Sequence, residues 1–203
     1  GLSGFAQNEF YNDGAQVYVQ AAGLIFVQGE VINDDQAANI GRIFNSGDIQ
    51  LTGNWTNTSI SNVFQASDPG TTTFLGNNAL QTIGGTSDTY FNNLTLNKPG
   101  GTREVRLLRN SLCDGIFNLT EDFMNTQSFT FAVANPNPAA IVRLGAMAPN
   151  VNNSTAEGYV TSTVGSAGRL SRATLPVGTY FFPVGTAARF RPVSVRATSG
   201  TNN

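Results

Sequence analysis

Histidine is absent from the 203 residues and cysteine occurs once, at Cys113. A Ser-His-Asp or Cys-His nucleophilic system therefore cannot be assembled, and the commonest metal ligand is missing. Cys113 has no partner for a disulfide or a thiolate pair and reads as a small buried apolar group. The glycine pairs Gly84-Gly85 and Gly100-Gly101 neither fit a Walker pattern nor open a helix, so they read as turns and not as phosphate loops.

Carboxylates remain as the route to catalysis. Sugar-cleaving β-helices use two or three acids on one face, one as proton donor and another as base or nucleophile. Asp34-Asp35 and Glu121-Asp122 are the adjacent pairs. Neighbours on a strand point to opposite faces, so neither pair makes a site unless a turn intervenes. Asp34, Asp35 and Asp48, with loop carbonyls, offer the hard oxygen ligands that calcium takes. No D-x-D-x-D-G loop or G-G-x-G-x-D repeat organises them. No catalytic residue, metal ligand or cofactor site is assigned, and the expectation is a protein without enzymatic activity. Asn54-Trp55-Thr56 and Asn93-Leu94-Thr95 match the N-glycosylation pattern, but such matches arise by chance in a chain so rich in Asn and Thr.

Charged residues make up 12% of the chain, about half the usual share, and the net charge is -2. The chain as a whole has no net basic charge, which argues against a nucleic-acid partner. No apolar run approaches the roughly 20 residues of a membrane helix, so membrane insertion is not expected. The opening GLSGFAQ resembles the end of a secretory signal peptide cleaved after Ala6, without the charged start and apolar centre of one.

The elements that would position any site are strands. No stretch of 11 or more residues carries helical periodicity, and twelve β-rich runs alternate with Gly, Asn, Asp or Pro. The fold class is all-β. Val31-Ile32-Asn33, Ile43-Phe44-Asn45, Tyr90-Phe91-Asn92 and Ile116-Phe117-Asn118 share a shape, an apolar pair before asparagine. Asn33 and Asn57 lie 24 apart, Phe91 and Phe117 lie 26 apart, and such spacings match one coil of a parallel β-helix. Asparagine tolerates left-handed backbone and can stack on its equivalents at successive corners. In GDIQLTGNWTN, Ile49 and Leu51 are expected inside, Gly53-Asn54 at a turn, and Trp55 over a coil edge or adjoining face. The alternative is a β-sandwich throughout, with Trp55 in its core.

Composition shifts at ANPNPAA, residues 134–140. A solenoid-like region over 1–133 is expected before this linker, and an antiparallel region over 141–203 after it. That second region carries six arginines, and Pro183 and Pro192 mark edges or bulges within its runs. Its antiparallel layer is expected to cover the last edge of the solenoid, although these strands could instead continue it.

GEVIN, GDIQLTGNWTN, TFLGNNALQTIGG with YFNNLTLN, and GTYFFPVGTAARFRPVSV resemble, in that order, segments of large secreted surface proteins of Bacteroidetes-type bacteria. The correspondence covers roughly residues 23–97 and 178–195. It implies export by the type IX secretion system, a secreted or cell-surface location, and roles in adhesion, gliding or extracellular fibres. Nothing after Asn203 matches the C-terminal sorting domain usual in that group. The chain is then a fragment or processed form, or its export follows another route. The expected function is a structural or adhesive module whose partners are identical subunits, further modules of the same polypeptide, or surface glycans. The alternative is a polysaccharide-active or carbohydrate-binding β-helix. Contacts with copies are expected to involve residues 1–14, and SGTNN at the other end reads as a tail.

Overall fold

A computed structural model describes residues 8–98, 103–120, 123–143, 158–186 and 189–198. GLSGFAQ, Gly100-Gly101, Glu121-Asp122 and the SGTNN tail lie outside those residues. The first coil runs through β1 (Glu9–Asp13), β2 (Gln16–Val19) and β3 (Leu24–Val27). The second runs through β4 (Glu30–Asp34), β5 (Arg42–Asn45) and β6 (Asp48–Leu51). The third has β7 (Trp55–Asn57) and β8 (Thr71–Phe74), with Phe64 bridging to Ile43 in place of a middle strand. Three-strand coils follow: β9 (Leu80–Gly85), β10 (Thr89–Phe91) and β11 (Asn93–Leu96), then β12 (Glu104–Leu107), β13 (Ser111–Cys113) and β14 (Phe117–Leu119). After β15 (Phe123–Asn125), β16 (Thr130–Val133) and β17 (Ile141–Arg143), β18 (Tyr159–Thr161) and β19 (Arg169–Arg172) begin another.

Coils with three strands place one on each of three parallel faces, and the third coil keeps two strands and the Phe64 bridge, so the chain is a β-solenoid. The first face is the seven-stranded sheet β1-β4-β7-β9-β12-β15-β18, and the third is the six-stranded sheet from β3 to β17. The second face is β2-β5, then Phe64, then β10-β13-β16-β19. Strand alternation turns every second side chain inward. On the third face this builds two interior columns, Ile25-Ile49-Thr72-Leu94-Phe117-Ile141 and Val27-Leu51-Phe74-Leu96-Leu119. Ile49, Leu51, Phe74, Leu94, Phe117 and Leu119 are buried. No coil can bury its apolar side alone, and stacking supplies the missing neighbour.

Trp55 is an interior residue, fully buried, not a cover over an edge. Its ring stacks on Phe64 at 5.3 Å and meets Phe91 edge-on at 5.5 Å, while Nε1 donates to Thr89 Oγ1 at 3.1 Å. The second face in this coil is reduced to the segment around Phe64, and the indole packs against that ring. The pairing of Phe91 with Phe117 is likewise corrected: Phe91 registers with Cys113 on the second face and Phe117 with Leu94 on the third. Asn118 sits mid-strand on the outer side of β14 and not at a corner.

Parallel pairing continues past the proline-rich segment. Residues 134–140 form a corner with a short 3-10 turn, Pro138–Ala140, and β17, β18 and β19 extend all three faces beyond it. Antiparallel pairing begins only at β20 (Gly178–Phe182), which pairs with β23 (Val193–Ala197) around the short β21 (Gly185–Thr186) and β22 (Arg189–Phe190). Pro183 and Pro192 lie between these strands, where no ladder bond is lost.

This antiparallel layer covers the last coil. Val184 bridges to Val160 of β18, and Val160 N donates to Pro183 O at 2.7 Å. Phe190 packs with Tyr159 and Phe123, and the Arg143 guanidinium lies 4.0 Å over the Phe190 ring. Arg172 donates to the carbonyls of Phe181, Asn137 and Pro138 and sits over the Tyr180 ring.

Candidate functional site: two clefts at the corners of the coils

Side chains that stack from coil to coil define the corners. Between the first and second faces, Asn12, Asn33 and Asn57 occupy one register position in successive coils, all buried. Asn12 Nδ2 donates to Asn33 Oδ1 at 2.7 Å, and Asn33 Nδ2 donates to Asn57 Oδ1 at 3.4 Å and to Gly41 O at 3.0 Å. The column ends at Gly85, whose φ of +113° and 2.0 Å approach between an added Cβ and Asn57 O admit only glycine. Between the second and third faces, Asn45 Nδ2 donates to Thr71 O, while Asn92 and Asn93 donate to carbonyls of residues 65–70.

Asp34 ends strand β4 and Asp35 opens the corner that follows it. Asp35 accepts from Gly41 N at 2.9 Å and from Ser59 Oγ, tying one coil to the next. Asp34 accepts from Asp35 N and from the Tyr11 hydroxyl, and its carboxyl is held below the usual range by Thr58, the Asp35 amide and Tyr11. Asp48 lies on the third face, where it accepts from Gln50 and Thr73. These three acids do not converge, and among the described residues no group of three His, Cys, Asp or Glu could hold a metal ion. The asparagines of both glycosylation-like tripeptides are engaged between coils, Asn54 with Thr82 N and Asn93 with Gly70 O and Ile116 N. Gly84 and Gly85 close strand β9 and form no phosphate loop. Burial pushes the Cys113 thiol up to about 12, so the group is inert.

Two clefts that the sequence did not single out are assembled by stacking. The larger, about 530 Å3, lies where the third face turns into the first. Its polar lining is amide and hydroxyl: Asn8, Gln28, Thr52, Asn77 and Asn78, beside the exposed ring of Phe26. The smaller, about 270 Å3, lies between the second and third faces and holds Asp68, Asn92, Asn93 and Asp114. Asp68 and Asp114 belong to corners two coils apart and line the same cleft. Burial raises the Asp114 pKa, and Asp68 Oδ2 is buried without a hydrogen-bond partner.

Size and lining separate the two. Small-molecule sites usually enclose roughly 300–1,000 Å3, which includes the amide cleft and leaves out the acidic one. Amide groups with an apolar ring suit a neutral polyhydroxylated ligand, because they donate and accept without imposing charge. No protein-family model matches the chain, and no curated protein or solved structure matches it.

Proposed function

We propose that the chain is a non-enzymatic structural or adhesive module of a secreted bacterial surface protein. Its body is a stiff rod of stacked coils, and its amide-lined cleft takes a neutral glycan. The observation that carries this reading is the cleft at Asn8, Gln28, Asn77 and Asn78, with Phe26 open beside it and no carboxylate in its lining. On the outer third face Gln50, Thr73, Thr95 and Asn118 follow Phe26 in register, with the Asp48 carboxylate bonded to Gln50 and Thr73 beside them. A secreted or cell-surface location and type IX export belong to this proposal and rest on the sequence resemblance. Retention on a panel of insoluble neutral polysaccharides is the test. Phe26→Ala should weaken retention about tenfold, the scale of losing one ring contact. Equal retention of parent and variant by every glycan, or by none, overturns the reading.

A second reading rests on Asp68 and Asp114. The two carboxyls line one cleft, and the one whose pKa is raised by burial, Asp114, suits the proton donor of a glycosidase. New reducing ends that disappear in Asp114→Asn would favour this reading; their absence across the panel favours the adhesive one.

A further inference from the structure

The first and last described coils of the rod are opposite in charge and both expose apolar groups. Because a solenoid lays sequence along its axis, charge position in the chain becomes charge position on the rod. Residues 1–57 hold six carboxylates against Arg42, a net of -5. Residues 123–203 hold six arginines, all among the described residues, and one carboxylate in the sequence, a net of +5. The first and last strands of the seven-stranded face stand about 29 Å apart at the usual spacing. That exceeds the ~8 Å Debye length at physiological salt, so each end presents its own field.

At the first end, the coil β1–β3 leaves apolar surface open. Tyr11, Tyr18 and Leu24 are 50–59% exposed. Phe10, Val17 and Ile25 point inward yet are only partly buried, whereas their register partners Val31, Ile43 and Ile49 are buried. A further layer on this coil would complete their burial. At the other end, β23 is exposed along most of its length, with Val193 and Val195 beside Arg196. Arg169, Arg189 and Arg191 are also exposed there, while Arg143 and Arg172 are spent on holding the antiparallel layer.

We infer that copies of this chain associate head to tail, the acidic first coil of one docking on the arginine- and valine-bearing layer around β23 of the next. Charge complementarity selects this occupant. Head-to-head contact would bring two ends of -5 together, and tail-to-tail contact two ends of +5. A heterologous contact of this kind does not close on itself unless a rotation completes a ring, so it propagates into an open chain of subunits. The inference deepens the structural-module reading and rests on it. It can fail alone, because a monomer that still binds glycan would leave that reading standing.

The test is sedimentation of the full chain in 20 mM and 500 mM NaCl, with two charge-reversed variants, Glu9→Lys/Asp13→Lys and Arg191→Glu/Arg196→Glu. The parent should grow beyond dimer with concentration at low salt and return towards its 21.5 kDa monomer at high salt. Each variant alone should lose at least tenfold in association, and mixing the two should restore it, since each supplies the end that the other needs. Circular dichroism of the variants checks that the β fold is kept, and the parent's salt series stands without them. A parent that is monomeric at both salts overturns the inference. So does a mass that stops at dimer, or a mixture that associates no better than its parts.

Discussion

Replacing Asn33 by valine removes the centre of the buried asparagine column. The side chain accepts from Asn12 Nδ2 at 2.7 Å and donates to Gly41 O at 3.0 Å and, more weakly, to Asn57 Oδ1 at 3.4 Å. At about 1 kcal/mol for each good bond and less for the long one, the loss comes to about 2–3 kcal/mol. With a urea m value of about 2–3 kcal/mol/M, the unfolding midpoint should fall by about 1 M. Trp55 fluorescence reports the transition from within the affected coils, and circular dichroism reports the whole chain. Asn118→Val is the matched control: its side chain stands on the outer face of β14, and its effect should stay within about 0.5 kcal/mol. A midpoint for Asn33→Val within about 0.2 M of the parent, or an equal fall for Asn118→Val, would refute the reasoning.

Gly85→Ala should destabilise by about 1–3 kcal/mol, because it combines a positive φ with a Cβ driven onto Asn57 O; thermal unfolding would show it. Cys113, with its thiol pushed up to about 12, should resist a thiol reagent at pH 8 in the folded chain and react fully in denaturant. Rapid labelling of the native protein would contradict its place in the core. Asp114 binds its proton more tightly folded than unfolded, so it favours the fold at low pH and that contribution is lost as pH rises from 3.8 through the raised folded value. Asp114→Asn should flatten the pH dependence of stability across that window; an unchanged slope would count against the cleft environment.

Fold class was legible because three-fold repetition leaves a mark wherever corner residues recur. Asn33 and Asn57 are 24 apart in sequence and in register in space. The mark blurs because corners vary in length: Trp55 and Ile83 are 28 apart, Val105 and Met124 only 19. Phe91 and Phe117 show the consequence, since a shared local shape assigned them to one column while they stand on different faces. Strands of three residues, such as WTN, SLC and FMN, are too short to alternate visibly. ANPNPAA resembled a boundary because proline and asparagine mark corners and linkers alike. The clefts were hidden for a related reason. Phe26 and Asn78, or Asp68 and Asp114, meet only once the coil length between them is known, and no local motif carries that length.

The central claim is that successive coils stack in parallel register, and a cross-link tests it most directly. Ile32 and Thr56 are register partners on the outer side of β4 and β7. Parallel neighbours stand about 4.8 Å apart, within the roughly 4.4–6.8 Å between Cα atoms that a disulfide spans. The double variant Ile32→Cys/Thr56→Cys should oxidise to an intramolecular disulfide in the folded chain, and Ile32→Cys/Asn118→Cys should not. A sandwich built from hairpins would pair β4 in another register. Failure of the first pair to close, or closure of both pairs alike, would contradict the stacked solenoid.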